Sequence, residues 1–294
     1  MIKQQTKGSM AALIANTIFG FSFLFSKVAL DYAHPLIILA VRFTVAFAVM
    51  NLLWLFGIVK PKLRGKPKKR LILMAIAQPL LYFISELYGI NYTSSAMSGI
   101  IISLVPVGVI LLSTLFLRER PTVAQILFSS LSLAAVIGIS LLSNDGGQNH
   151  WIGIVLLVAA VICAAVFNIL SRSESARFSP FERTYVMFLI GTVGFNLLAP
   201  LVLRGDYVPA LTAAVTAAPF WGAIGYLSIL SSIAAFMLYN YATTNISTVR
   251  AASFANITTV VSVVAGMAIL GDQLSIPQII CCVLIIIGVF GVNR

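Results

Sequence analysis

A carboxylate stands in the middle of an apolar run at Glu86, within Leu71–Asn91. On insertion scales an acid at the centre of a spanning helix costs about 2.5–3.5 kcal/mol, so it calls for a partner or a use. Gln78, Tyr82, Glu86 and Gly89 recur at helical spacing, and the face they form reads as the lining of a polar cavity. There the carboxylate would hold a cationic group or exchange a proton. A carboxyl bonded to a neighbouring helix purely for packing is the structural alternative. Arg42 lies about two turns into its own run. Snorkelling, pairing with Asp31 or Glu86, and binding an anionic group all fit it. Asn16, Gly20, Phe23 and Lys27 share one helix face, and Asn168 with Arg172 continues an equivalent face later in the chain. Asn16, Asn168, Tyr82 and Tyr239 are candidates to bond a ligand or to bond a neighbouring helix.

Catalysis by this chain is not expected. The two histidines, His34 and His150, fall in predicted outer loops, and Cys163, Cys281 and Cys282 sit in apolar runs without metal-ligand spacing. No phosphate-cradling glycine loop is present, so no cofactor, metal or nucleotide hydrolysis is predicted.

The elements that must position these residues are membrane helices. Of 294 residues, 60% are hydrophobic and 9% charged, against about 45–50% and 25% in soluble domains. Spanning a bilayer takes about 20 apolar residues. Ten runs approach this: Gly8–Leu30, Pro35–Val59, Leu71–Asn91, Met97–Leu117, Thr122–Leu142, Trp151–Leu170, Arg183–Leu203, Pro219–Ala242, Val249–Leu270 and Pro277–Val292. Continuous rather than alternating runs exclude a barrel. The fold class is therefore all-α, with about ten transmembrane helices.

Ten spans put both termini on one side. That side carries Lys3, Lys7, the cluster Lys60, Lys62, Arg64, Lys66, Lys68, Lys69 and Arg70, then Arg118, Arg120, Arg172, Arg177, Arg183, Arg250 and Arg294. Lys27, Arg42 and Arg204 fall on the other. The positive-inside bias places both termini in the cytoplasm of a multi-pass protein of the cell (inner) membrane, and it reads the basic cluster as a cytoplasmic loop rather than a nucleic-acid site.

The chain also repeats. At an offset of 145, Ser26-Lys27 meets Ser171-Arg172, Pro35 meets Pro180, and Asn51-Leu52-Leu53 meets Asn196-Leu197-Leu198. At 153, Glu86 meets Tyr239, Tyr88 meets Tyr241, Gln125-Ile126 meets Gln278-Ile279, and Glu119 meets Asp272. Two five-helix repeats, residues 1–145 and 146–294, are predicted. An odd number of spans in each inverts the second, which is a transporter signature.

Several stretches resemble one family. Phe19-Gly20 with Lys27, Pro35 and Arg42, Asn91-Tyr92-Thr93-Ser94-Ser95-Ala96, Leu104-Val105-Pro106-Val107, Leu117-Arg118-Glu119 and Leu270-Gly271-Asp272 together resemble EamA-type carriers of the drug/metabolite transporter superfamily. The resemblance implies two inverted five-helix repeats around a central cavity, which Phe19 and Phe23 join. It also implies export or exchange of a small metabolite such as an amino acid or related polar compound. The expected partners are that substrate, the lipid bilayer, and a coupled proton or counter-substrate. A channel-like facilitator and an intramembrane lipid-modifying enzyme are the alternatives. Glu86 standing without clustered acids or histidines disfavours the enzyme, and the channel lacks a ring of repeated polar groups.

Overall fold

A computed structural model describes residues 2–92, 101–102, 104–118, 121–142, 150–265 and 275–293. Glu119, Asp272, the Thr93–Ala96 stretch and residues 143–149 lie outside the described residues, as do the side chains of Phe23 and Lys27.

Among the described residues all regular structure is helical. In chain order the helices are α1 (Ile2–Leu30), α2 (Pro35–Leu55), α3 (Lys69–Ala75), α4 (Tyr82–Asn91), α5 (Val105–Leu112), α6 (Val123–Leu142), α7 (Trp151–Glu174), α8 (Pro180–Leu203), α9 (Tyr207–Thr216), α10 (Ala218–Gly225), α11 (Ala235–Asn245), α12 (Thr248–Ser253), α13 (Ala255–Ala265) and α14 (Ile276–Asn293). Six continuous helical stretches are long and apolar enough to cross a membrane, beginning at Gln4, Pro35, Trp151, Pro180, Ala218 and Ile276. Val105–Leu117 and Val123–Gly138 are shorter apolar helices.

Local chemistry sets the boundaries. His34 and His150, expected in loops, are N-caps, each accepting a backbone N–H through Nδ1 at 3.3 Å, from Leu36 and Ile152. Helix α8 opens with Pro180 at its first turn and a capping box between Ser179 and Glu182. It starts three residues before Arg183, so that arginine belongs inside the helix rather than at its lip. Arg204, at a φ of 48°, ends α8, and α9 follows where the apolar pattern predicts only a connection.

Among the described residues three helical stretches change pitch, α5 at its end, where Ser113–Leu117 is π-helical, and two others midway. π-Helical turns, Ile76–Leu81 and Tyr226–Ala234, join α3 to α4 and α10 to α11. In the first, Gln78 is extended, at φ −146° and ψ 121°. Pro79 explains this: it clashes with a helical conformation at the preceding residue and has no N–H to give. The single helical face drawn through Gln78, Tyr82 and Glu86 is therefore corrected, because the register breaks at Gln78.

The main apolar core lies between α1, α2, α3, α7, α8 and α11, with Phe43, Phe167, Phe188 and Phe195 almost fully buried. A second core joins α1 and α6 to α12, α13 and α14. Small residues let these helices approach. A Cβ at Gly20 would sit 2.5 Å from Val261, and one at Gly291 would run into the Phe128 ring. Such contacts give helices in lipid the dispersion contact that holds them together. Leu55, Leu115 and Phe116 are more than two-thirds exposed on the outside, as a lipid-facing surface requires.

Candidate functional site

Helix α4 presents Glu86 half-buried, and one turn earlier the Tyr82 hydroxyl donates to its Oε1 at 2.7 Å. Helix α2 carries Arg42 inward, 6% exposed. It does not snorkel. Its Nε donates to Ser232 Oγ at 2.8 Å and its Nη2 to Ser231 Oγ at 3.1 Å. The guanidinium carbon lies 5.6 Å from the Phe43 ring centre and 5.4 Å from that of Phe83. Phe83 is three residues before Glu86, so the cation rests against the helix that carries the acid. The two charges attract one another through space, yet no ion pair joins them among the described residues. Each is held by neutral hydroxyls.

The π-helical turn is what places the serines. Its wider winding brings Ser228, Ser231 and Ser232, all fully buried, toward one side. Ser228 Oγ has no hydrogen-bond partner among the described residues. The sequence reading missed this cluster, although three serines within five positions of an apolar run are a visible signal.

Further aromatic rings pack in the core that holds Phe43 and Phe83. Phe19 meets Phe236 edge-on at 5.2 Å, and Phe167 meets both Phe236 and Tyr239 at 6.4 Å. The remaining candidates are committed within the fold. Tyr239 donates to Asn168 Oδ1 at 2.7 Å, while Asn168 Nδ2 donates to Ala164 O at 2.9 Å. Asn16 Nδ2 donates to Ala12 O at 2.8 Å, and its Oδ1 accepts from Thr258 at 3.4 Å. Gln78 is half-buried at the helix break. The structure thus unites Glu86 with Tyr82, and Tyr239 with Asn168, and it gives Arg42 partners not foreseen. No three His, Cys, Asp or Glu side chains gather to hold a metal among the described residues.

Opposite charges inside an aromatic, membrane-spanning bundle suit binding and translocation of a polar solute. A model of the EamA-like transporter family matches residues 6–141 and again 151–294. The chain belongs to the EamA-like transporter family. It is a multi-pass membrane transporter by that membership, as its resemblance to the drug/metabolite transporter superfamily implies. It is 36% identical over 300 residues to the uncharacterized transporter YcxC of Bacillus subtilis (strain 168), covering 100% of this chain and 95% of that one. It is 24% identical over 240 residues, 81% of this chain and 76% of the relative, to the "Probable terminal-alkyne amino-acid exporter" of Streptantibioticus cattleyicolor. A solved crystal structure superposes with a TM-score of 0.82 at 18% identity, covering 97% of this chain and 96% of the other, which shows the shared fold.

Proposed function

We propose that this EamA-like transporter is a secondary carrier, an exporter or exchanger of an amino acid or related zwitterion. It works by alternating access between two inverted five-helix repeats in the inner membrane. The observation that carries the reading is that Glu86 and Arg42 are not joined to each other: a half-buried carboxylate and a buried guanidinium, each bonded to neutral hydroxyls, would suit a ligand carrying both signs. Its ammonium would meet Glu86 and its carboxylate would meet the Arg42 fork. The twofold family match supports the repeat, and so do the two midway π-helical turns, since Ile76–Leu81 shifted by 153 falls within Tyr226–Ala234. The name of the Streptantibioticus relative supports the substrate class.

The test begins with a thermal-shift screen of purified protein against amino acids, since a ligand of the native state raises its stability with concentration. For a hit, Arg42→Gln is expected to weaken binding of the amino acid by about tenfold or more, the scale of a lost charge contact, and to leave its methyl ester nearly unaffected. Equal weakening for both would show that Arg42 does not read the carboxylate. Saturable counterflow in liposomes separates a carrier from a channel.

Orientation is tested separately. With Cys163, Cys281 and Cys282 replaced by alanine, a cysteine at Lys68 is expected to resist an impermeant thiol reagent in intact cells, while one at Gly147 reacts. Lys68 is preferred to Gly65 because the φ of 80° at Gly65 suits glycine. The reverse labelling pattern would invert the topology.

A further inference from the structure

Away from the charged core, the basic segment that follows α2 folds into a pocket. A cavity of about 380 Å³ is lined by Lys60, Lys62, Lys66, Arg177, Ser179 and Glu182, among others. The one carboxylate of this lining is fully engaged. Glu182 accepts from Lys66 Nζ at 2.9 and 3.0 Å, from the Lys62 backbone N–H at 2.8 Å and from the Ser179 backbone N–H at 2.8 Å. Lys66 also lies 4.9 Å from the Phe178 ring centre, and Arg177 faces Glu174 at 3.8 Å. The ammonium groups of Lys60 and Lys62 have no partner among the described residues. The pocket thus has a fixed floor, with surplus positive charge at its rim.

Its position along the chain gives the ligand. Trp54, 46% exposed and edge-on to Tyr185 at 6.3 Å, puts in the last turn of α2 the amphipathic ring typical of a membrane–water interface. Leu55, Phe56 and Ile58 follow, 79%, 74% and 67% exposed. Exposed apolar side chains therefore run directly into the basic pocket, so acyl chain and phosphate would find adjoining surfaces. Clustered Lys and Arg beside a spanning helix attract anionic lipid. A bias that only orients the protein needs loop charge, with no cavity.

We propose that this pocket is a binding site for the headgroup phosphate of an anionic phospholipid, with Lys60 and Lys62 on the phosphate and the acyl chains along Leu55, Phe56 and Ile58. The site is independent of the transported substrate.

The full chain, purified in a neutral detergent, is titrated with dioleoylphosphatidylglycerol, with phosphatidylcholine of the same chains and with inorganic phosphate, and the thermal midpoint is read. Phosphatidylglycerol alone is expected to raise it saturably. In Lys60→Gln/Lys62→Gln the half-saturating lipid concentration rises about tenfold or more. Lys68→Gln/Lys69→Gln, which removes equal charge outside the cavity, responds as wild type. Both lysine pairs are exposed, and the lipid-free midpoints verify folding. Lys60→Arg/Lys62→Arg keeps the charge and the affinity. Equal weakening in the two glutamine double variants would mean diffuse loop charge and would overturn the site. A response to free phosphate matching the lipid's would make it a soluble-anion site and overturn the lipid assignment, as would an equal response to phosphatidylcholine.

Discussion

Glu86→Gln is expected to fold like the wild type and to lose transport by about 10²-fold or more, the scale on which one member of a desolvated charge contact acts. The amide keeps the side chain's shape and still offers an oxygen to the Tyr82 hydroxyl, now 2.7 Å from the carboxylate. What it loses is the charge that would hold an ammonium group, and the proton it would exchange. The pH dependence of transport should therefore flatten together with the rate, since the neighbouring Tyr82 and Arg42 remain. Glu86→Asp keeps the charge on a shorter stem and should retain part of the activity. Tyr82→Phe removes the hydroxyl and leaves the charge, so it should cost much less than Glu86→Gln. The measurement is counterflow of an identified substrate in proteoliposomes from about pH 5 to 8, spanning the range in which buried carboxyls titrate. Wild-type transport with an unchanged pH profile in Glu86→Gln would make the residue a packing group.

Glu86 was legible because a charge in an apolar run violates the local pattern, and such violations mark function. Arg42 was legible as a misfit for the same reason, but its partners were not. Ser231 and Ser232 lie 189 and 190 positions away from it, on a turn whose π winding no periodicity announces. Gln78 misled for a different reason. Helical spacing joins it to Tyr82 and Glu86, while the proline directly after it disfavours a helical conformation there. Helix α9 is not legible because Tyr207–Thr216 is too short to read as a span. Arg183 shows the limit of charge counting. Its sign fits the cytoplasmic side of the bias, but a tally of side chains per face cannot tell a solvated arginine from a fully buried one.

Arg183→Met is expected to destabilise the protein by about 2–4 kcal/mol, the range for dismantling a buried, charge-assisted network. The Arg183 side chain is fully buried, and no carboxylate pairs with it among the described residues. Its Nη1 instead donates to Ser171 O at 2.7 Å, Ser171 Oγ at 2.6 Å and Thr243 Oγ1 at 3.1 Å. Its Nη2 donates to Thr244 Oγ1 at 2.6 Å and to Asn240 O. Arg172 adds bonds to Thr243 O and Thr244 O at 3.0 and 2.7 Å. Apart from Asn240, these acceptors belong to the last turns of α7 and α11, where helical carbonyls lack intrahelical donors and the helix dipole is negative. The helix ends thus do the work of a counter-ion, and the guanidinium ties α7, α8 and α11 together. Asn240 completes the knot, accepting from Ser171 at 2.7 Å and donating to Thr184 at 3.0 Å. Methionine fills a similar volume and donates nothing, so the Ser171 carbonyl and the Ser171, Thr243 and Thr244 hydroxyl oxygens would each lose a buried donor. Lysine keeps the charge but has three donors and no planar fork, so Arg183→Lys should fall between. Thermal midpoints in one detergent, with monodispersity as a second readout, measure the order wild type, Arg183→Lys, Arg183→Met. A wild-type midpoint in Arg183→Met would mean that the two helix ends satisfy themselves without the cation.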